Sequence, residues 1–148
     1  MVQYHLAQLN IARMVAPIDE PPMDSFQAQL DRINALAECS PGFIWRLQDE
    51  DGDATSIQAF DDPLILVNMS VWESLESLHQ YVYKSDHMKV LRNRREWFSH
   101  LDGPSLVLWW VRQGHQPDVA EAKHRLELLA KKGPTADAFN FGKQFPSP

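Results

Sequence analysis

The stretch "LILVNMSVWESLESLHQYVYKSDH", Leu64 to His87, decides the fold. Its first nine residues, through Trp72, are apolar on both alternating sets of positions, apart from Asn68 and Ser70. A short run with no polar face reads as a central strand. The period then changes. Ser74 can cap a helix with Ser77 at its third position, and Leu75, Leu78 and Val82 form the stripe. "YKSD" interrupts that stripe. Ser85 or Asp86 can cap a second helical run, reaching about Leu101 before "DGP" stops it.

Working outward, "YHLAQLNIARM" reads as a strand from Tyr4 to about Arg13, with His5, Ala7, Leu9 and Ile11 on one face and Tyr4, Leu6, Gln8 and Asn10 on the other. "APIDEPP" opens a loop. Met23, Phe26, Leu30, Ile33 and Leu36 then mark a helix that Asp24 or Ser25 can cap, and "SPG" leads into a strand, "FIWRLQ". "DEDGDA" has acidic residues and a glycine but no Glu at the twelfth position, where Phe60 stands, so it reads as a solvated hairpin turn rather than a calcium loop. "TSIQAF" is a candidate edge extension. "SLVLWWVRQ" is a second central strand. Pro117 precedes a last helix, which Gly133 stops, and residues 133–148 read as an extended tail whose three Phe pack on the body.

The order is βαββαβ with an extra C-terminal helix: an α+β, ferredoxin-like chain with an antiparallel sheet, forming a single domain over 1–148. Val67, Val71, Leu106, Leu108 and Trp110 cannot all share a face with Leu66, Val107 and Trp109. Both sheet faces need burial, so a homodimer, in which a second copy covers the free face, is expected.

The 148 residues carry a net charge of −6 and a pI near 5.4, which argues against nucleic-acid or anionic-membrane partners, since both select a basic face. The single Cys39 excludes an intramolecular disulfide and a multi-cysteine metal site. No basic-then-apolar leader is visible and no stretch nears the roughly 20 apolar residues of a membrane span, so a cytoplasmic protein is expected. His115 and His124 are too sparse to suggest zinc.

The pattern "GFIWRLQDE…LVNMSVWESLESLHQYVYKSDH" is similar to that of the dimeric α/β-barrel superfamily, which includes antibiotic-biosynthesis-monooxygenase-like proteins: a second strand opened by Gly, a third ending in Trp, and a split helix. Nearly the whole chain, with "DRINALAE", "NRREWF" and the Phe-Pro tail, resembles one uncharacterised family within it. The resemblance implies a ferredoxin-like dimeric barrel. It leaves the chemistry open among cofactor-free oxygenases, isomerases, haem enzymes and inactive members. Trp72-Glu73-Ser74, Tyr81-Val82 and Ser85-Asp86 resemble the helix of the haem-degrading branch. The axial position of that branch lands on Arg92, which cannot ligate iron, and its strand-one Asn lands on Leu9 or Asn10. The expectation is no cofactor, with haem the alternative through His87.

Candidate catalytic residues are His87, Tyr83 and Asn68. His87 can move a proton near neutral pH, Tyr83 lies four residues away on a common helix face, and Asn68 interrupts an apolar strand. An exposed helix-start histidine is the competing reading for His87. Backbone N–H groups at the helix break can bind a polar ligand atom. Candidate substrate-binding residues are Trp45, Arg46, Trp72, Tyr81 and Trp109, although each Trp serves equally as core. These residues suggest a protein that binds a small apolar or aromatic molecule, as a monooxygenase-like or isomerase-like enzyme. The alternative is a non-catalytic dimeric binding or structural protein.

Overall fold

The computed structural model describes residues 2–50, 52–85, 87–90 and 94–148. Its elements are β1 (Tyr4–Met14), a 3-10 turn (Pro21–Met23), α1 (Asp24–Glu38), β2 (Phe43–Arg46), β3 (Ile65–Trp72), α2 (Leu75–Lys84), α3 (His87–Val90), α4 (Arg94–Trp97), β4 (Phe98–Ser99), β5 (Leu106–Arg112) and α5 (Val119–Lys132). The strands run β2-β3-β1 with β5 on the other side of β1, all antiparallel, and β4 pairs with the last two residues of β1. This is the ferredoxin-like arrangement expected from the order of elements.

Strand pleating separates two cores. On the odd-numbered face, Ala7, Leu9 and Ile11 join Val67, Met69, Val71, Val107, Trp109 and Val111. On the even-numbered face, Leu6, Trp72 and Leu108 meet Ala37 of α1, Leu78 and Tyr81 of α2, and Phe139. Each face has its own cover. The odd face is closed by Ala122, Leu126 and Leu129 of α5 and by Ile57, Ala59 and Phe60 of the segment between β2 and β3. A second copy therefore meets α5 and this segment on that side rather than bare strands. "TSIQAF" contributes as this cover and forms no strand, and the acidic turn before it lies in the long connection between β2 and β3, which pair antiparallel.

Local chemistry explains the helix ends. Ser74 and Ser77 form a reciprocal capping box, as the sequence suggests. Asp118 caps α5 by accepting the Glu121 N–H at 2.8 Å, and Gly133 ends it with φ 71°. Neither Asp24 nor Ser25 caps α1. The Ser25 hydroxyl instead accepts the Trp97 indole N–H at 2.7 Å, which ties α4 to α1. The second helical run stops at Trp97 rather than Leu101, because Phe98 and Ser99 leave the helix to pair with Met14 and Arg13.

Light scattering at micromolar concentration tests the homodimer, for which about twice the 17.0 kDa of one chain is expected. The mass of one chain would overturn it.

Candidate functional site

A polar row crosses the even face where the strand pattern is otherwise apolar. The register sets Gln8 beside Ser70, and Asn10 beside Asn68. Gln8 is buried, and its Nε2 donates to Asn68 Oδ1 at 2.7 Å and to Ser70 Oγ at 2.8 Å. Ser70 Oγ also accepts the Trp72 indole N–H at 2.8 Å. Asn68 is exposed despite its mid-strand position. Indole can only donate, and the Asn68 carbonyl is occupied by Gln8. With its carbonyl so engaged, the Asn68 side chain has its NH₂ left as a donor.

Three stacked rings connect this row to the helix break. The Tyr81 ring lies on Trp72 with centroids 5.0 Å apart, and His87 lies against Tyr81 at 4.8 Å. Tyr81 O–H donates to the Ile33 carbonyl at 3.4 Å. Ser85 caps the end of α2 through a hydrogen bond from its hydroxyl to the Tyr81 carbonyl, and its oxygen accepts the His87 N–H at 3.1 Å. That backbone N–H is thus engaged rather than open to a ligand. His87 Nδ1 lies 3.3 Å from the Val82 carbonyl, so the neutral ring carries its proton there and keeps the Nε2 lone pair. Burial pushes the His87 pKa below the usual histidine value, partly offset by the bond to Val82. Burial likewise pushes the Tyr81 phenol up. At neutral pH the pair is an uncharged base beside an uncharged phenol.

The structure brings three of the expected residues into contact, Trp72, Tyr81 and His87, and sets Asn68 four residues before Trp72 on the same strand face. Arg46 borders them in register with Ser70, but its Nε donates to Glu38 at 2.7 Å and its side chain is 11% exposed. Tyr83 does not share a face with His87. The turn at Ser85 redirects the chain, and Tyr83 points outward against His79 at 4.7 Å and Phe141 at 5.6 Å. Trp45 and Trp109 lie on the odd face, and the Trp109 indole donates to Glu121 at 2.9 Å. They cannot line a site with Asn68. Arg92 and Asp86 lie outside the described residues. Gln8, Ser70 and Asn10 were missed as site residues. The even-face alternation of Gln8 and Asn10 was the available signal, but only the register joins them to β3.

The odd-face interior among Leu9, Phe60, Val67, Met69 and Ala122 leaves no space for a water molecule. A shallow groove of about 330 Å³ lies on the outer side of α2, lined by Leu75, His79, Lys84 and Gln144 and away from the polar row. Among the described residues no group of three or more His, Cys, Asp or Glu side chains could hold a metal ion, and no helix is long and apolar enough to cross a membrane. The ring of His87, the alternative haem ligand, lies against Tyr81 with centroids 4.8 Å apart.

The fold and site define a ferredoxin-like α+β protein with a polar row on its even face. Residues 5–148 match the domain of unknown function DUF3291, and the chain belongs to that family. No curated protein sequence matches it. Solved structures with a similar chain course include Rv0793 from Mycobacterium tuberculosis (11% identity, TM-score 0.48, 77% of this chain and 99% of that one). Another is SnoaB, a cofactor-independent oxygenase from Streptomyces nogalater (14%, TM-score 0.46, 76% and 95%). A third is NE2512, a protein of unknown function from Nitrosomonas europaea (11%, TM-score 0.47, 78% and 94%).

The depressed pKa of His87 has a stability consequence. The unfolded chain takes up this proton near the ordinary histidine pKa and the folded chain only at lower pH, so His87 lowers stability as pH falls below about 6.5. Chemical denaturation from pH 7 downward should show a shallower decline for His87→Gln than for the parent. Parallel curves would show that His87 is not buried as described.

Proposed function

We propose that this protein binds a small apolar or aromatic molecule bearing an oxygen acceptor against the even sheet face, and removes a proton from it. The observation that carries this reading is the exposed Asn68, whose side-chain carbonyl accepts from Gln8 and whose NH₂ is therefore the donor left for a ligand. An amide donor held this way stabilises a carbonyl oxygen as it gains negative charge. His87, neutral and with a free Nε2, supplies the base. Trp72 and Tyr81 give the apolar wall. Loss of a proton from a carbon or hydroxyl beside a conjugated oxygen yields an enolate or phenolate. That anion is the common starting point of an isomerase-like reaction and of a cofactor-independent, monooxygenase-like one.

The alternative is a non-catalytic dimeric binding or structural role, in which the same side chains serve packing alone. Two measurements separate the readings. The first compares binding of 1-naphthol with that of 1-methylnaphthalene, which has the same shape but lacks the hydroxyl. The naphthol should bind more tightly, and Asn68→Asp, which keeps the carbonyl partner of Gln8 and removes the outward donors, should cut its affinity about fivefold or more, since one hydrogen bond contributes ~1 kcal/mol. His87→Ala should leave the fold intact and weaken naphthol binding. Equal binding of both probes by all three proteins would place the ligand elsewhere. In the second, titration with haemin is expected to give no sharp Soret band. A stoichiometric band lost in His87→Ala would make His87 an axial ligand.

A further inference from the structure

We propose that the molecule bound beside Asn68 is a hydroxyaryl carboxylic acid whose carboxylate lies on Arg46, which rests on the reading of Asn68 given above and narrows its ligand to one chemical class.

The sheet places Arg46. It stands opposite Ser70 in the pairing of β2 with β3, so its side chain leaves the same even face as Ser70 and Asn68. Asn68 is its diagonal neighbour, two residues before Ser70, at a separation of about 7–8 Å. The Arg46 side chain is 11% exposed and has one protein partner. Its Nε donates to Glu38 Oε1 at 2.7 Å, and Glu38 is half-exposed at the end of α1.

A guanidinium carries five N–H donors, and that bond uses one. Among the described residues the four donors on Nη1 and Nη2 find no acceptor, and neither nitrogen is sealed from solvent. These two nitrogens form the end-on edge of the fork, which matches the two oxygens of a carboxylate. The bond through Nε holds the fork in place beforehand, so little side-chain freedom is lost on binding. Asn34 adds a second polar group. It is a buried residue of α1, one turn before Glu38, and among the described residues its amide forms no hydrogen bond. Buried amides are normally paired, and a ligand oxygen beside Arg46 is the partner this one lacks.

Charge decides the kind of acid. One guanidinium already shared with Glu38, in a chain of net charge −6, suits a carboxylate monoanion rather than a phosphate dianion. The stacked rings of Trp72 and Tyr81 suit an aryl body. An oxygen on Asn68 and a carboxylate on Arg46 then stand about one ring apart.

The test is equilibrium binding of 4-hydroxy-1-naphthoic acid against its methyl ester, which keeps the ring and the hydroxyl and lacks the charge. The acid should bind the parent protein at least about tenfold more tightly, because hydrogen bonds to a charged group are the stronger kind. Arg46→Gln should erase that advantage. Glu38→Gln removes a like charge beside the carboxylate and should enlarge it. An acid that binds the parent no more tightly than the ester overturns the proposal, and so does an advantage that survives in folded Arg46→Gln. Should Arg46→Gln not fold, Glu38→Gln decides alone. A larger advantage then supports Arg46 as the anchor, and an unchanged or smaller one overturns it. Failure of the underlying reading looks different. If 1-naphthol and 1-methylnaphthalene bind alike while the acid keeps its Arg46-dependent advantage, Asn68 is not the donor and Arg46 still marks an acid site. If the Asn68-dependent preference for naphthol holds and the carboxylate adds nothing, only the acid is overturned.

Discussion

The indole of Trp72 is the contact on which the arrangement depends. It stands at the end of β3, fully buried, where strand gives way to helix. Phe43 meets its edge at 5.5 Å, Tyr81 lies on its face, and its N–H is bound by Ser70. One side chain thereby fixes the β2 edge, seats α2 on the sheet and orients the polar row. Truncating such a residue to alanine costs about 3–5 kcal/mol. Here the same cavity would also free Tyr81 and the Ser70 hydroxyl. Packing and site geometry are therefore not separable at this position.

What the sequence shows depends on how local the cause is. The doubly apolar strands at Leu64–Trp72 and Leu106–Val111 are legible because their burial on two faces needs no knowledge of partners. The Ser74 capping box is legible because its residues are three apart. The cover of the odd face is not legible. Ala122, Leu126 and Leu129 form a helical stripe that fits either a neighbouring chain or the same one, and only the chain path decides between them. "TSIQAF" misleads for a related reason. Alternating apolar residues signal a half-buried surface, and an irregular segment lying across a sheet has one as well.

The site was half legible. Asn68 stands out as a polar residue in an apolar run, and Trp72, Tyr81 and His87 follow it within one continuous stretch. Its counterpart Gln8 lies 60 residues away and becomes meaningful only through the strand register. The pairing of Tyr83 with His87 failed because helical spacing holds only while the helix continues. The Ser85 hydroxyl takes the Tyr81 carbonyl as acceptor and itself accepts the His87 N–H, so the turn at Ser85 brings His87 to Tyr81, six residues away.

The polar row is not what apolar packing alone would select. A buried amide that keeps its partners contributes little net stability, and replacing a satisfied polar pair by apolar groups of similar shape is often close to neutral. Gln8 sits at the centre of the sheet, between β3 and β5, where Met or Leu would pack as well as the flanking Leu6 does. Stability alone does not select Gln8, Ser70 and Asn68 together. Gln8 and the Trp72 indole both donate to buried Ser70, and one further bond, from Gln8, ends on exposed Asn68. In the proposed reading, the donor left on Asn68 is the end of the row that a ligand meets.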